Sequence, residues 1–175
     1  MLGVAANDKF GHSVSMSLDR NAFILGALQN GENGKDNSHI KIFTFAFTTK
    51  SWNKLRKTRL WLAKNDSFGM PVALSSDGRT ISAGASFNDY TRQTIGNVRM
   101  LKFSIIKNKW DQLGSTVVGE ESDDEFRHSM LLSTDGRTID ACTQNNDDNG
   151  LGGGLVKIFS FYSNEKNWIN SGTLD

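Results

Sequence analysis

A chain of 175 residues with a formal net charge of +1 carries no electrostatic footprint for nucleic acid or for an acidic membrane surface. Hydrophobic residues make up 37% and charged residues 22%, a balance of a folded globular chain, and no apolar run approaches the roughly 18 residues needed to span a bilayer. Cys142 is the only cysteine, so an intrachain disulfide is excluded. Seventeen glycines against a single proline, Pro71, point to many tight turns between short elements, and so to an all-β chain. Residues 1–8 lack the basic start and long apolar stretch of a signal peptide.

Self-comparison organises the chain. Phe10, Phe68 and Phe126 stand 58 residues apart, as do Ser17, Ser75 and Ser133, and Asp19, Asp77 and Asp135. Phe45, Phe103 and Phe161 keep the same interval, and so do Trp52, Trp110 and Trp168. No insertion or deletion interrupts the register. The chain therefore reads as one repeat domain over 1–175, with units 1–58, 59–116 and 117–175.

The first predicted strand of each unit is 10–17, 68–75 or 126–133. In the first copy Phe10, His12, Val14 and Met16 alternate with small residues, the period of two that gives a strand two unlike faces. A hairpin turn follows, Asp77-Gly78 and Asp135-Gly136 in units two and three, with Asp19-Arg20 in the first. The second strand is 22–28, 80–86 or 138–143. It leads into a loop rich in Asn, Asp and Gly. The third strand is 40–45, 98–103 or 156–161 and is apolar on both sides, as in a strand sandwiched between layers. A fourth begins near Trp52, Trp110 or Trp168.

Four short antiparallel strands at a fixed period, with both sheet faces apolar, predict three tandem four-stranded antiparallel blades of β-propeller type. One blade cannot cover its own two faces, so its neighbours must. The alternative is a β-trefoil, also threefold and four-stranded per unit, although trefoil units are usually shorter.

The motifs resemble the FG-GAP (integrin-α-like) β-propeller repeat. The matching pieces are Phe10-Gly11 and Phe68-Gly69, Ser75-Ser76-Asp77-Gly78, and Gly26-Ala27 and Gly84-Ala85. Unit three departs from the pattern with Phe126-Arg127 and with Ala141-Cys142 where Gly-Ala is expected, and unit one lacks the hairpin glycine. The resemblance implies an extracellular or cell-surface location, and a ring of more blades than the three present. Unpaired blade edges imply a protein partner, or self-association with another copy, to complete the propeller. The resemblance also implies calcium in the loop after the second strand. The closest match offers Asn145, Asp147, Asp148 and Asn149 as oxygen ligands, but no unit has the full Asp-Xaa-Asp-Xaa-Asp-Gly spacing, so a solvated loop is the default.

The remaining candidates divide between structure and function. Asp19, Asp77 and Asp135 sit in hairpin turns, where Asp commonly serves its own backbone. The three repeated tryptophans fit packing between blades better than a ligand platform. His12 and His128 share a position with Met70, which predicts a packed environment rather than a zinc site. Trp61 has no aromatic counterpart and is the candidate for a local contact surface. The loops add Asn30, Glu32 and Asp36 in unit one, and Asn88, Asp89 and Tyr90 in unit two, as interaction residues. No nucleophile arrangement surrounds Cys142 and no phosphate-binding loop appears. The leading expectation is a non-enzymatic interaction or scaffold module without cofactor. The second is a calcium-dependent adhesive or glycan-binding surface module, and the third is a propeller-type hydrolase or lyase.

Overall fold

Side-chain alternation and turn chemistry build four strands, and the same four three times. The computed structural model describes residues 9–30, 37–55, 69–85, 95–119, 129–143 and 153–174; of 28–30 and 37–39 it describes the backbone alone. The first sheet is β1 (Ser13–Met16), β2 (Ala22–Asn30), β3 (Asn37–Ala46) and β4 (Ser51–Lys54), hydrogen-bonded in that order. The second is β5 (Val72–Leu74), β6 (Thr80–Ala85), β7 (Asn97–Ser104) and β8 (Lys109–Gln112). The short β9 (Val117–Val118), numbered with the third unit, completes this sheet by pairing with β7. The third is β10 (Ser129–Leu132), β11 (Thr138–Thr143), β12 (Leu155–Tyr162) and β13 (Asn167–Leu174).

Every pairing is antiparallel, and equivalent residues meet equivalent partners: Ser13 faces Gly26 as Ser129 faces Cys142, and Phe45 faces Trp52 as Phe161 faces Trp168. Apart from β9, each described strand pairs inside its own unit. This separation into three sheets sets aside the β-trefoil, whose strands would be shared in one barrel.

The core lies between the sheets. Ile24, Ile40 and Ile42 of the first blade pack with Val72, Leu74 and Ile81 of the second. Val98 and Met100 of the second pack with Met130, Ile139 and Trp168 of the third. Burying one such aliphatic side chain is worth about 1.5–3 kcal/mol, so these two interfaces hold most of the apolar stabilisation. The middle blade has a neighbour on both sides, and all six residues of β6 are buried.

Polar groups join the same interfaces. The backbone N–H groups of Val72 and Leu74 donate to the hydroxyls of Ser13 and Ser15, at 2.9 and 3.0 Å. At the hairpin tips, Leu18 N–H donates to the Ser76 carbonyl and Ser76 N–H to the Thr134 carbonyl, at 3.2 and 2.9 Å. Backbone bonding thus runs across the blades as well as within them.

Candidate functional site

The three repeated aspartates form one motif and share a structural role. Ser17, Ser75 and Ser133 donate their hydroxyl protons to Asp19, Asp77 and Asp135 at 2.5, 2.6 and 2.6 Å. Each carboxylate also accepts the backbone N–H two residues on, from Asn21, Arg79 or Arg137. The serine oxygens in turn accept the N–H of Ala22, Thr80 and Thr138, which closes the hairpin. These donors hold Asp19 and Asp135 below the usual carboxylate range; for Asp19 the Ser17 hydroxyl leads, followed by Asn21 N–H, and for Asp135 the Ser133 hydroxyl leads, followed by Arg137 N–H.

Two of these turns border a cavity of about 270 Å³ between the first two blades. Asp19 and Asn21 come from the first hairpin, and Asp77 and Arg79 from the second. Phe45, Phe103 and Trp110 supply aromatic walls, with Ile42 and Leu55 behind them. A volume just under the ~300–1,000 Å³ of ordinary small-molecule pockets suits a single-ring ligand. The indole N–H of Trp110 is buried and has no hydrogen-bond partner. Its equivalent, Trp168 Nε1, donates to the Leu113 carbonyl of the preceding blade at 2.7 Å. A buried donor without an acceptor is destabilising by roughly 1–3 kcal/mol.

Trp110 and Trp168 pack against the cores between blades, as their recurrence predicts, whereas the ring contacts of all three tryptophans lie within their own blades. Trp52 lies edge-on to Phe23 and Phe45, with ring centroids 4.6 and 5.2 Å apart, and Trp110 and Trp168 each tilt against the phenylalanine opposite at 5.4 Å. His12 corrects the sequence expectation, because it is exposed. Among the described residues no strand lies beyond its side of the first blade, whereas the equivalent side of the second blade packs against the first. His128 lies outside the described residues.

Most loop candidates also lie outside them: Trp61, Glu32, Asp36, Asn88, Asp89 and Tyr90, and the calcium set Asn145, Asp147, Asp148 and Asn149. Asn30 ends β2, its backbone paired with Asn37. Among the described residues no group of three or more His, Cys, Asp or Glu could hold a metal ion, and no helix is long and apolar enough to cross a membrane. Cys142 is free and half-buried, and burial followed by the nearby Asp140 charge pushes its thiol pKa up, the opposite of an activated nucleophile.

Sequence reasoning missed the cavity residues Asn21, Arg79 and Phe103. The repeat was visible, but not that the hairpin of one unit lies beside the aromatic residues of the next.

No protein-family model and no curated protein sequence matches the chain. Solved structures do. A Bacteroides fragilis protein provisionally called a 6-phosphogluconolactonase superposes on 99% of the chain with a TM-score of 0.65 at 12% identity. The Saccharomyces cerevisiae protein Sqt1 superposes on 97% with a TM-score of 0.55 at 10% identity. The periplasmic gluconolactonase of Pseudomonas aeruginosa superposes on 98% with a TM-score of 0.53 at 12% identity. The fold is of propeller type. The chain spans 41%, 36% and 47% of these three proteins.

These neighbours carry the FG-GAP resemblance as far as the propeller-type fold and no further, and the adhesive and calcium readings attached to it gain no support. They also correct the leading expectation of a non-catalytic scaffold, and with it the assignment as a non-enzyme. Two of the three are named as lactonases, so the hydrolase alternative has the better support.

Proposed function

We propose that this chain forms part of a propeller-type hydrolase of the lactonase kind, with the cavity between its first two blades as the seat of a small, hydroxyl-rich cyclic ester. The observation that carries the reading is the character of that cavity: aromatic walls, with two carboxylates and a guanidinium at its border. Aromatic faces suit the C–H side of a sugar ring, and the polar border suits its hydroxyls. The near-complete superposition on two proteins named as lactonases supports the same reading.

Lactone hydrolysis adds water across the acyl carbon–oxygen bond. The water oxygen attacks the carbonyl, and the ring oxygen leaves and takes up a proton. In this reading the carboxylate group of Asp77 at the border orients the attacking water and draws off its proton. Arg79 offers donors to the oxygen on which negative charge develops. The word periplasmic in the name of one neighbour supports a location outside the cytoplasm.

The test is ring opening of gluconolactone followed by base uptake at constant pH. The expected result is a rate above the spontaneous one, lost in an Arg79→Ala variant that melts like the parent. Failure of the chain to exceed the spontaneous rate, together with unchanged tryptophan fluorescence on adding lactone, would overturn the assignment.

A further inference from the structure

The two carboxylates that border the cavity between the first two blades are not equivalent. Asp19 has both oxygens engaged: Oδ1 accepts the Ser17 hydroxyl at 2.5 Å and Asn21 N–H at 3.0 Å, and Oδ2 accepts the Asn21 side-chain amide at 3.2 Å. In Asp77 the Ser75 hydroxyl and Arg79 N–H both fall on Oδ1, at 2.6 and 2.9 Å. Among the described residues no donor reaches Asp77 Oδ2. The turn of the third blade repeats this second pattern, with Ser133 and Arg137 N–H on Oδ1 of Asp135.

The difference traces to one residue. Positions 21, 79 and 137 are equivalent, and the chain has Asn, Arg and Arg there. In each, the backbone carbonyl accepts the N–H of the third-strand phenylalanine, Phe45, Phe103 or Phe161, at 2.8, 2.9 and 2.8 Å. The backbone therefore stands in the same place whichever side chain it bears. The short amide of Asn21 turns back onto the carboxylate two residues before it. The Arg79 side chain does not, and among the described residues its guanidinium forms no hydrogen bond or ion pair. A donor fixed on a carboxylate oxygen favours the charged form and so makes that group a weaker base.

We propose that Asn21 is a positioning residue of the cavity: by holding the second oxygen of Asp19, it leaves Asp77 as the border carboxylate with an oxygen free to take a proton from water. The step it serves rests on the lactonase reading. Asp77 Oδ2 takes the water proton as the water oxygen bonds to the lactone carbonyl carbon. It returns that proton to the ring oxygen as the acyl carbon–oxygen bond breaks. The competing role for Asn21 is a brace for its own turn, which has Arg20 at a left-handed φ of 59° in place of the hairpin glycine. A brace alone would show in melting and leave the chemistry untouched.

Rescue separates the two roles. Asparagine at position 77 keeps an oxygen for Ser75 and Arg79 N–H, so the turn survives Asp77→Asn, and lactone opening is expected to fall about a hundredfold. Adding Asn21→Ala frees Asp19 and is expected to restore about tenfold of that loss; adding Asp19→Asn to the pair removes the gain. A double variant no faster than Asp77→Asn, or a gain that survives the loss of Asp19, would overturn the proposal. Carboxyl-carbon NMR titration follows the hold on Asp19 without substrate. Asn21→Ala alone should raise the Asp19 midpoint, and an unmoved midpoint overturns the proposal even where the triple variant does not fold. If wild type opens no lactone while the Asp19 midpoint rises, the lactonase reading falls and the hold of Asn21 on Asp19 stands.

Discussion

Gly26→Ala isolates the contact between the first two blades in a single methyl group. Gly26 lies outside the left-handed region, so alanine there meets no backbone strain of its own, and the loss of unfolded-state freedom alone would stabilise the chain by about 0.4–1 kcal/mol. Against this, the new Cβ would lie 1.9 Å from the Gly69 carbonyl oxygen, and the obstacle is backbone, which no rotamer change removes. The second blade must retreat by roughly an ångström, which stretches the bonds from Val72 and Leu74 N–H to Ser13 and Ser15. Overpacking of this kind destabilises by about 1–3 kcal/mol, and weakening two hydrogen bonds adds about 0.5–1.5 kcal/mol each. Taking the unfolded-state gain off leaves a net loss of roughly 1–5 kcal/mol, or a fall in Tm of about 2–20 °C for a chain this size. Thermal unfolding by circular dichroism measures it, with Cys142→Ala as the control at the equivalent position of the third blade, expected within about 0.5 kcal/mol of the parent. If Gly26→Ala melts with the control, the close approach of the blades is not what that glycine is for.

Arg20→Gly removes a left-handed non-glycine residue, a strain of about 1–2 kcal/mol offset by the backbone entropy of glycine, so Tm should rise by about 2–3 °C, and a fall would contradict the strain assignment. Because burial and Asp140 raise the Cys142 pKa, iodoacetamide should label it more slowly than an unhindered cysteine at neutral pH, the rate climbing only in alkaline buffer; labelling at the model thiol's rate would refute this. Asp19 and Asp135 are held below their unfolded values, so the stability they confer is complete above about pH 4 and is lost as pH falls through their folded values. Melting followed against pH should show Asp135→Asn flattening that acid limb, and an unchanged limb would exclude Asp135 as a contributor.

The strands were legible because the side chains that form them obey a period of two and recur at one spacing. Ala22, Thr80 and Thr138 begin second strands where the alternation places them, and the Ser-Xaa-Asp turns were read correctly as backbone fasteners. What escaped the sequence depends on which blade stands beside which. His12 and Met70 share a repeat position, yet His12 is exposed, since repeat equivalence holds only while the neighbour is also equivalent. The cavity was invisible for the same reason. Asp19 and Asn21 of the first unit and Asp77 and Arg79 of the second border one cavity, and nothing in a linear reading says that turns 58 positions apart meet there beside Phe45. The functional expectation failed more deeply, because a non-catalytic reading was inferred from missing clusters within units, whereas the candidate site is assembled between them.

The cross-blade bonds at the hairpin tips have a consequence for how this architecture can vary. Leu18, Ser76 and Thr134 clasp one another in sequence, so each turn gauges the length of the next. One residue added to the middle turn would throw two joints out of step at once. The spacing of the units is thus policed from outside each unit, by its neighbour's grip.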